Sequence, residues 1–456
     1  VLVTVMRDHQ KYFALEDSAH RLLPHFLAVL NTDGDPEGII RHGHERVLRA
    51  RFNDARFFWQ TDQKISLRDR VQLLKHVTFQ KDLGSYYDKT RRVQHMASHI
   101  SGSMKEAGVV LRPGVIHKAA CLAKTDLTTE LVKEFTELQG IVGGLYARVQ
   151  ELDRDLAPDA HRLIAQAIYD HYKPESMEDS APSTVEGAVL SIADKADSIA
   201  GMFALGLQPS GSKDPFALRR QANGIVKTIA EHKLPLGIEQ LFRDALAGYA
   251  GSEAEKKFGP KFATAQGQAE ILQSIAAFVC ERIEFYLREA RGFAYDVVNA
   301  VLAAGSDDVV DAVARAQAVA KVRPSPDFES ISIAFKRMKN ILRQARELGS
   351  EPATELHPGA LKEPAEVNLA ELIPATAQRV RELRAKRNYE PALLEISRLR
   401  PAVDTFFDKV MVMVDEPNVR ANRLALLQTV LREFSTIADF SEIVTESKDS
   451  KVSKES

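Results

Sequence analysis

The chain has 456 residues, 45% hydrophobic and 27% charged, with a formal net charge of −2; that length implies roughly three domains, and the near-neutral charge excludes a global attraction to nucleic acid, leaving only local basic patches to supply one. Cys121 and Cys280 stand far apart without CxxC spacing, which excludes a disulfide framework and a cysteine zinc site and fits a reducing, cytoplasmic setting. No apolar run approaches the ~18 residues of a membrane span, and no signal peptide is visible.

VLVTV (Val1–Val5) alternates as a strand does, and short apolar runs separated by turn clusters such as Asn31–Gly38 predict residual β structure to about Asn53. Helical periodicity follows. Leu67, Val71, Leu74 and Val77 form a stripe, and further helices are predicted near Asp88–Ser101 and Pro113–Ala123. Ser183 and Glu186 have capping-box spacing, and Val185, Val189, Ile192, Ala196, Ile199 and Phe203 keep one apolar face. Asp214-Pro215 predicts another helix start, with Asp as cap and Pro at the first helical position. Residues 236–325 read as Ala-rich amphipathic helices. The prolines in Val322–Phe328 mark a boundary, Leu348–Glu366 reads as a flexible connection, and the polar tail 445–456 as disordered.

The last domain carries the basic clusters. FKRMKNILRQAR (Phe335–Arg346) brings Lys336, Arg337, Lys339, Arg343 and Arg346 with no acid inside the segment, and Phe335, Met338, Ile341, Leu342 and Ala345 give it a buried side. RVRELRAKR (Arg379–Arg387) adds Arg379, Arg384 and Arg387 among others, against one Glu. Were these faces to read single-stranded bases, stacking and base-edge hydrogen bonds would be needed too, for which Asn340, Phe335 and Tyr389 are near candidates; Phe335 lies on the apolar side and is expected in the core. In Val410–Leu427, Pro417 restarts a helix whose first turns hold Arg420, Asn422 and Arg423. Cations at the positive end of a helix dipole need an answering carboxylate or phosphate. Asp415 is the expected cap and the expected partner in a structural clasp; Arg420 and Arg423 stay among the candidates for RNA contact, which is placed chiefly on the other basic helices.

That block resembles the last hairpin of the DALR anticodon-binding domain of several aminoacyl-tRNA synthetases. HQKYFAL (His9–Leu15), HERVLRARFNDARFFW (His44–Trp59), DKTRRV (Asp88–Val93), KTDLTTELVKEFTELQG (Lys124–Gly140), ADKADSIAGMF (Ala193–Phe203) and GSKDPFALRRQANGI (Gly211–Ile225) resemble, in order, the bacterial glycyl-tRNA synthetase beta subunit family. The resemblance implies a mainly α chain: 1–59 the remnant of a preceding α/β domain with a little β, 60–235 an HD-like helical domain, 236–325 a helical body, and 326–444 a DALR-type helical bundle. It implies tRNA(Gly) as partner, an alpha subunit in an α2β2 heterotetramer, and ATP and Mg at that alpha subunit, with no cofactor and no catalytic residue in this chain. Members of the family carry a further N-terminal region before HQKYF, so a truncated chain is expected.

The middle region also resembles the HD superfamily of metal-dependent phosphohydrolases, the alternative function. Its early ligand would be His95 or His99, its Asp of the His-Asp pair Asp126, and its late ligand Asp194 or Asp197. Lys124-Thr125-Asp126 places no His beside the Asp and a cation nearby, which predicts a degenerate, inactive site. Asp194, opposite the apolar stripe of its helix, is expected to be solvated or partner-facing. His42-Gly43-His44 has chelating spacing but is read as an exposed turn without a third ligand, and Ser210–Lys213 as a helix entry with Arg219 and Arg220 on its outer face. No metal is expected in either place.

Overall fold

The structure is a computed structural model that describes residues 2–153 and 155–445; most of the expected disordered tail, 446–456, lies outside the described residues. It is mainly α, as expected, and β structure is limited to two short hairpins among the described residues.

The chain opens helically, with α1 (Leu2–Thr4) and a π-helical turn over Val5–His9, so the expected strand at VLVTV is not formed. Alternation over so few residues does not separate a strand from a helical turn. β1 (Phe13–Glu16) and β2 (Leu22–Leu27) pair antiparallel, Phe13 opposite Leu27. The remainder of the supposed β segment is the long helix α2 (Ile39–Asp62). Asp35 takes the free N–H groups of Ile40 and Arg41 at 3.1 and 2.8 Å, and Gly38, at φ 69°, permits the entry. Leu48, Ala55 and Asp62 are buried at seven-residue spacing, a helical period that the turn-like composition upstream obscured.

Next come α3 (Leu67–Leu73), the small hairpin β3 (Thr78–Gln80) and β4 (Gly84–Ser85), and α4 (Tyr86–Glu106), entered through a Ser85/Asp88 capping box. The helices α5 (Pro113–Leu122), α6 (Glu130–Glu134), α7 (Ile141–Val149), α8 (Pro158–Asp170), α9 (Val185–Ala204), α10 (Leu218–His232), α11 (Ile238–Ala247) and α12 (Ala265–Phe285) follow. Every residue of α9 from Glu186 to Ala204 is buried. It packs against α4, α5, α8 and α10 and is the axis of this part of the molecule. Its cap is Thr184, whose hydroxyl accepts from Gly187 N at 3.0 Å; Ser183 is drawn instead to the Asp170 carboxylate, and Glu186 accepts from Arg112 N, so the expected capping box is not the one used. Asp214 does cap α10, accepting from Leu218 and Arg219 N, but Pro215 lies in the turn before the first helical residue.

The last helices are α13 (Tyr295–Ala303), α14 (Val309–Val322), α15 (Pro326–Glu347), α16 (Pro364–Ala385), α17 (Tyr389–Ser397), α18 (Arg400–Lys409) and α19 (Pro417–Phe434), then a 3-10 turn at Phe440–Glu442. Two compact units result: residues 1–232 with 240–275, and residues 233–239 with the chain from Ala276 on. The stretch 236–325 is thus shared between the two units. In the second unit Phe328 and Phe335 of α15 both meet the Phe440 ring edge-on, at 5.3 and 5.1 Å. Arg315 of α14 is buried and donates to the carbonyls of Val301, Gly305 and Ile437, tying the end of α13 to the segment after α19 with one guanidinium. Among the described residues no helix is long and apolar enough to cross a membrane.

Candidate nucleic-acid interface

The start of α19 is a clasp, with a different carboxylate from the one expected. Glu416 occupies the N-cap position without a side-chain cap bond, and Asp415 does not cap the helix. Arg420 donates to the carbonyl oxygen of Val414 at 2.8 Å. Arg423, 6% exposed, pairs with Glu366 of α16 at 2.7 Å and donates to Met411 O. Side chains lean toward the N-terminus of their helix, which carries Arg423 back over the loop and onto α16. Glu366 is ready for it: placed in the first turn of α16, it also accepts from the N–H groups of Lys362 and Glu363. Burial works to raise its carboxyl, but the Arg423 bond and the two amide bonds outweigh it and hold the group below its usual range. Asn422 bonds both to N (2.8 Å) and to O (3.1 Å) of His357, and Ala353 N donates to Ala421 O. The connection Leu348–Glu366, expected to be flexible, is therefore fastened to α19.

α15 presents a basic arc with two engaged edges and an open middle. At one edge Lys339 reaches Asp439 (2.8 Å), Ser441 (3.0 Å) and Glu442 (3.3 Å) of the terminal turn. The hydrogen bond to Asp439 raises the Lys339 ammonium above its ordinary value. At the other edge Arg337 lies 4.2 Å over the Phe407 ring of α18. Between them Lys336 and Asn340 are exposed, and neither has a partner among the described residues. Arg343 is exposed beside Glu347 at 2.9 Å, and Arg346 stands 3.9 Å from Glu351, both weak surface pairs. Of the residues proposed for base contact, Phe335 and Tyr389 are core, the Tyr389 hydroxyl being bonded to Asp311.

At the end of α16, Arg379 stands 3.7 Å from Glu395 and Arg387 is 2.7 Å from Asp308. Arg384 and Lys386 are exposed and have no partner among the described residues. The open cations of this arc are therefore Lys336, Arg384 and Lys386, with Arg337 offering one face of a guanidinium already stacked on an aromatic ring.

The place where the degenerate HD centre was expected is built of lysines. His95 and His99 stack on each other, 4.4 Å between ring centres, and both are exposed on the outer face of α4. The α4 residue that enters the centre is Lys89, whose ammonium donates to Asp194 O and Ser198 Oγ at 2.8 Å and pairs with Asp197 at 3.1 Å and Asp194 at 3.2 Å. Lys124 contacts Asp194 at 2.7 Å and His171 Nε2 at 3.0 Å. Lys195 donates to the carbonyls of Tyr172 and Lys173 and to Ser191 Oγ. Asp194, expected to be solvated, is 6% exposed, because α9 is covered on every side and even its polar stripe lies inside. Asp197 is buried as well and is held by Arg92 at 2.7 Å. Asp126 is buried and accepts from Gly140 N and Gly143 N.

Burial works to raise the Asp194 carboxyl, but the Lys124 and Lys89 ammoniums outweigh it and hold the group far below the usual carboxylate range. Burial pushes Lys124 down to about 8 and Lys195 to about 7, lifts Asp126 to about 6, and, helped by the Lys124 charge, lowers His171 to about 3. A carboxylate already paired with two ammoniums is a poor divalent ligand, and among the described residues no three His, Cys, Asp or Glu side chains converge. The phosphohydrolase reading finds no support here. His42 and His44 lie on α2, not in a turn, and diverge: His42 bonds Gly38 O while His44 bonds the Tyr12 hydroxyl.

Lys89, His171 and Lys195 were missed in the sequence. Lys89 had left a trace, since it falls on the apolar stripe of α4 with Val93, Met96, Ile100 and Met104, where a lysine requires an internal partner.

Residues 1–303 match the family described as glycyl-tRNA synthetase beta subunit, and residues 331–444 match the DALR anticodon binding domain. The chain belongs to the glycyl-tRNA synthetase beta subunit family. It is 54% identical over 450 residues to the glycine–tRNA ligase beta subunit of Acidobacterium capsulatum, covering 97% of this chain and 61% of that one. The corresponding proteins of Syntrophus aciditrophicus and Desulfatibacillum aliphaticivorans are 41% and 40% identical, over 98% and 97% of this chain and 60% of each relative. The chain thus spans about three fifths of the length of these curated relatives.

Proposed function

We propose that this chain is the tRNA-gripping part of a glycine–tRNA ligase beta subunit, acting in the cytoplasm. The open cations of α15 and α16, with Asn340 and the Arg337–Phe407 stack, meet the anticodon arm of tRNA(Gly). Glycine and ATP with Mg are handled by an alpha subunit in an α2β2 heterotetramer, and this chain contributes placement: holding the tRNA fixed brings its acceptor end to the reacting adenylate, and proximity supplies rate. The observation that carries the reading is the coincidence of the DALR match with helices on which Lys336 and Arg384 are exposed without an internal partner among the described residues. The lysines and arginines buried around α9, by contrast, are satisfied within the fold.

The test is a salt titration of tRNA(Gly) binding by fluorescence anisotropy. Lys336→Ala with Arg384→Ala weakens binding and flattens the dependence of log K on log salt by about 1 for each phosphate no longer neutralised. An unchanged slope with both cations removed would place the RNA on another face. The chain alone forms no glycyl-adenylate from glycine and ATP; adenylate detected without an alpha subunit would refute the division of labour.

A further inference from the structure

The lysine cluster of the first unit is the floor of a cleft that the anticodon reading does not use. The cleft holds about 290 Å³, near the small end of the ~300–1,000 Å³ of ligand pockets. Lys89, Lys124, Lys195 and Asp194 line it together with Tyr86, Tyr172 and Phe216, and Arg220 and Gln139 complete it. The lysines are fixed by internal bonds, so the floor need not rearrange for a ligand. Lys89 and Lys124 are answered by Asp194 and Asp197, and Lys195 is lowered to about 7, so among the described residues the unanswered cation of the lining is Arg220, the group that would draw an anion.

Several lining groups also await a partner. The Tyr172 hydroxyl makes no hydrogen bond among the described residues, but it is closed off from solvent and so from a ligand. Among the same residues neither the exposed Arg220 guanidinium nor the Gln139 amide has a side-chain partner, whereas the adjacent Arg219 is spent on Gly211 O. Phe216, four residues before Arg220, lines the cleft with no aromatic or cationic neighbour on its ring among the described residues. A free guanidinium is the natural fork for a phosphate, an aromatic ring in the lining is a stacking surface for a base, and an unpartnered amide suits the sugar or base edge.

We propose that this cleft binds a nucleoside monophosphate, either free or as an unpaired nucleotide of an RNA strand, with the phosphate on Arg220 and the base against Phe216. It is a binding site, and no bond is made or broken in it. The proposal does not depend on the anticodon reading, which concerns the other unit.

The experiment is ligand-observed NMR of the full 456-residue chain with AMP and, separately, inorganic phosphate. AMP binds, and phosphate binds more weakly. Arg220→Gln weakens AMP by roughly five- to tenfold, as the loss of one hydrogen bond to a ligand does. Phe216→Ala weakens AMP and leaves phosphate unchanged, while Arg219→Gln changes neither. Circular-dichroism melts verify that the variants fold. No binding of AMP at millimolar concentration, or binding indifferent to both Arg220→Gln and Phe216→Ala, would overturn the proposal. Adding saturating tRNA(Gly), with its own binding followed by anisotropy, separates the sources: displaced AMP marks an RNA nucleotide as occupant, and retained AMP a free one.

Discussion

Lys124 and Lys336 are the same residue type put to opposite uses, and the regions around them differ accordingly. In the first unit Lys89, Lys124, Arg92 and Lys195 lie inside, each pinned by carboxylates, carbonyls or hydroxyls along α9. In the second unit Lys336, Arg384 and Lys386 extend outward without partners among the described residues. Burial forces a charge to find its answer within the fold, whereas exposure leaves it available to another molecule. The number of cations in a segment therefore says little about nucleic-acid binding. What matters is the number left unanswered. Lys339 illustrates the point on α15 itself, since its neighbour Lys336 is free among the described residues while it is tied to Asp439 and Glu442.

The contrast is most directly broken at Asp194. Asp194→Asn keeps the shape but takes the carboxylate from the buried Lys124, leaving it His171 alone as hydrogen-bond partner among the described residues while Lys89 keeps Asp197 and Ser198. The first unit then loses about 3–5 kcal/mol of stability in urea unfolding; a change under about 1 kcal/mol would mean that the cluster is solvated rather than sealed. Arg423→Met in the second unit strands Glu366, which keeps its two amide bonds, so a smaller loss of about 2–3 kcal/mol is expected by the same measurement. Gly201→Ala tests packing without charge: an added Cβ would stand 2.2 Å from the Tyr249 hydroxyl, and overpacking there costs about 1–3 kcal/mol in the melting of the first unit.

The protonation states give a subtler test. His171 is lowered to about 3, so its contribution is fully present above the ordinary histidine value and is lost as pH falls from about 6.5 toward 3. Asp126, raised to about 6, works oppositely: its contribution is fully present below about pH 4 and is lost as pH rises through 6. His171→Gln should flatten the decline of unfolding free energy between about pH 6.5 and 4; an unaltered slope would show that His171 titrates normally in the folded chain. At the bottom of the scale Lys336→Ala shifts stability by no more than about 0.5 kcal/mol, even as it weakens tRNA binding.

The sequence disclosed the amphipathic helices of the middle and last segments, though not α2, and it did not show which groups meet. The apolar stripe of α9 and the basic run of α15 follow from spacing alone. The burial of Asp194 did not, because a stripe shows which face is apolar and cannot show that the opposite face is covered too. His95 and His99 were plausible ligands by residue type, yet their positions on α4 point outward, and the inward position belongs to Lys89. Arg423 was rightly suspected of a structural role. Its partner, Glu366, lies 57 residues away in sequence, and no local pattern connects them. Asp415 was the nearer acid, but its side chain serves neither Arg420 nor the helix cap.

Asn422 has a consequence for how the second unit can vary. By clamping His357 through both backbone groups it divides the chain between Glu347 and Pro364 into two short loops, each closed on a fixed point of α19. Loop-closure entropy grows only with the logarithm of length, about 0.6 kcal/mol per doubling, so either loop can lengthen at little cost while the other keeps its geometry. Insertions on the two sides of His357 are thereby independent of each other, and one buried amide turns a single long connection into two separately adjustable ones.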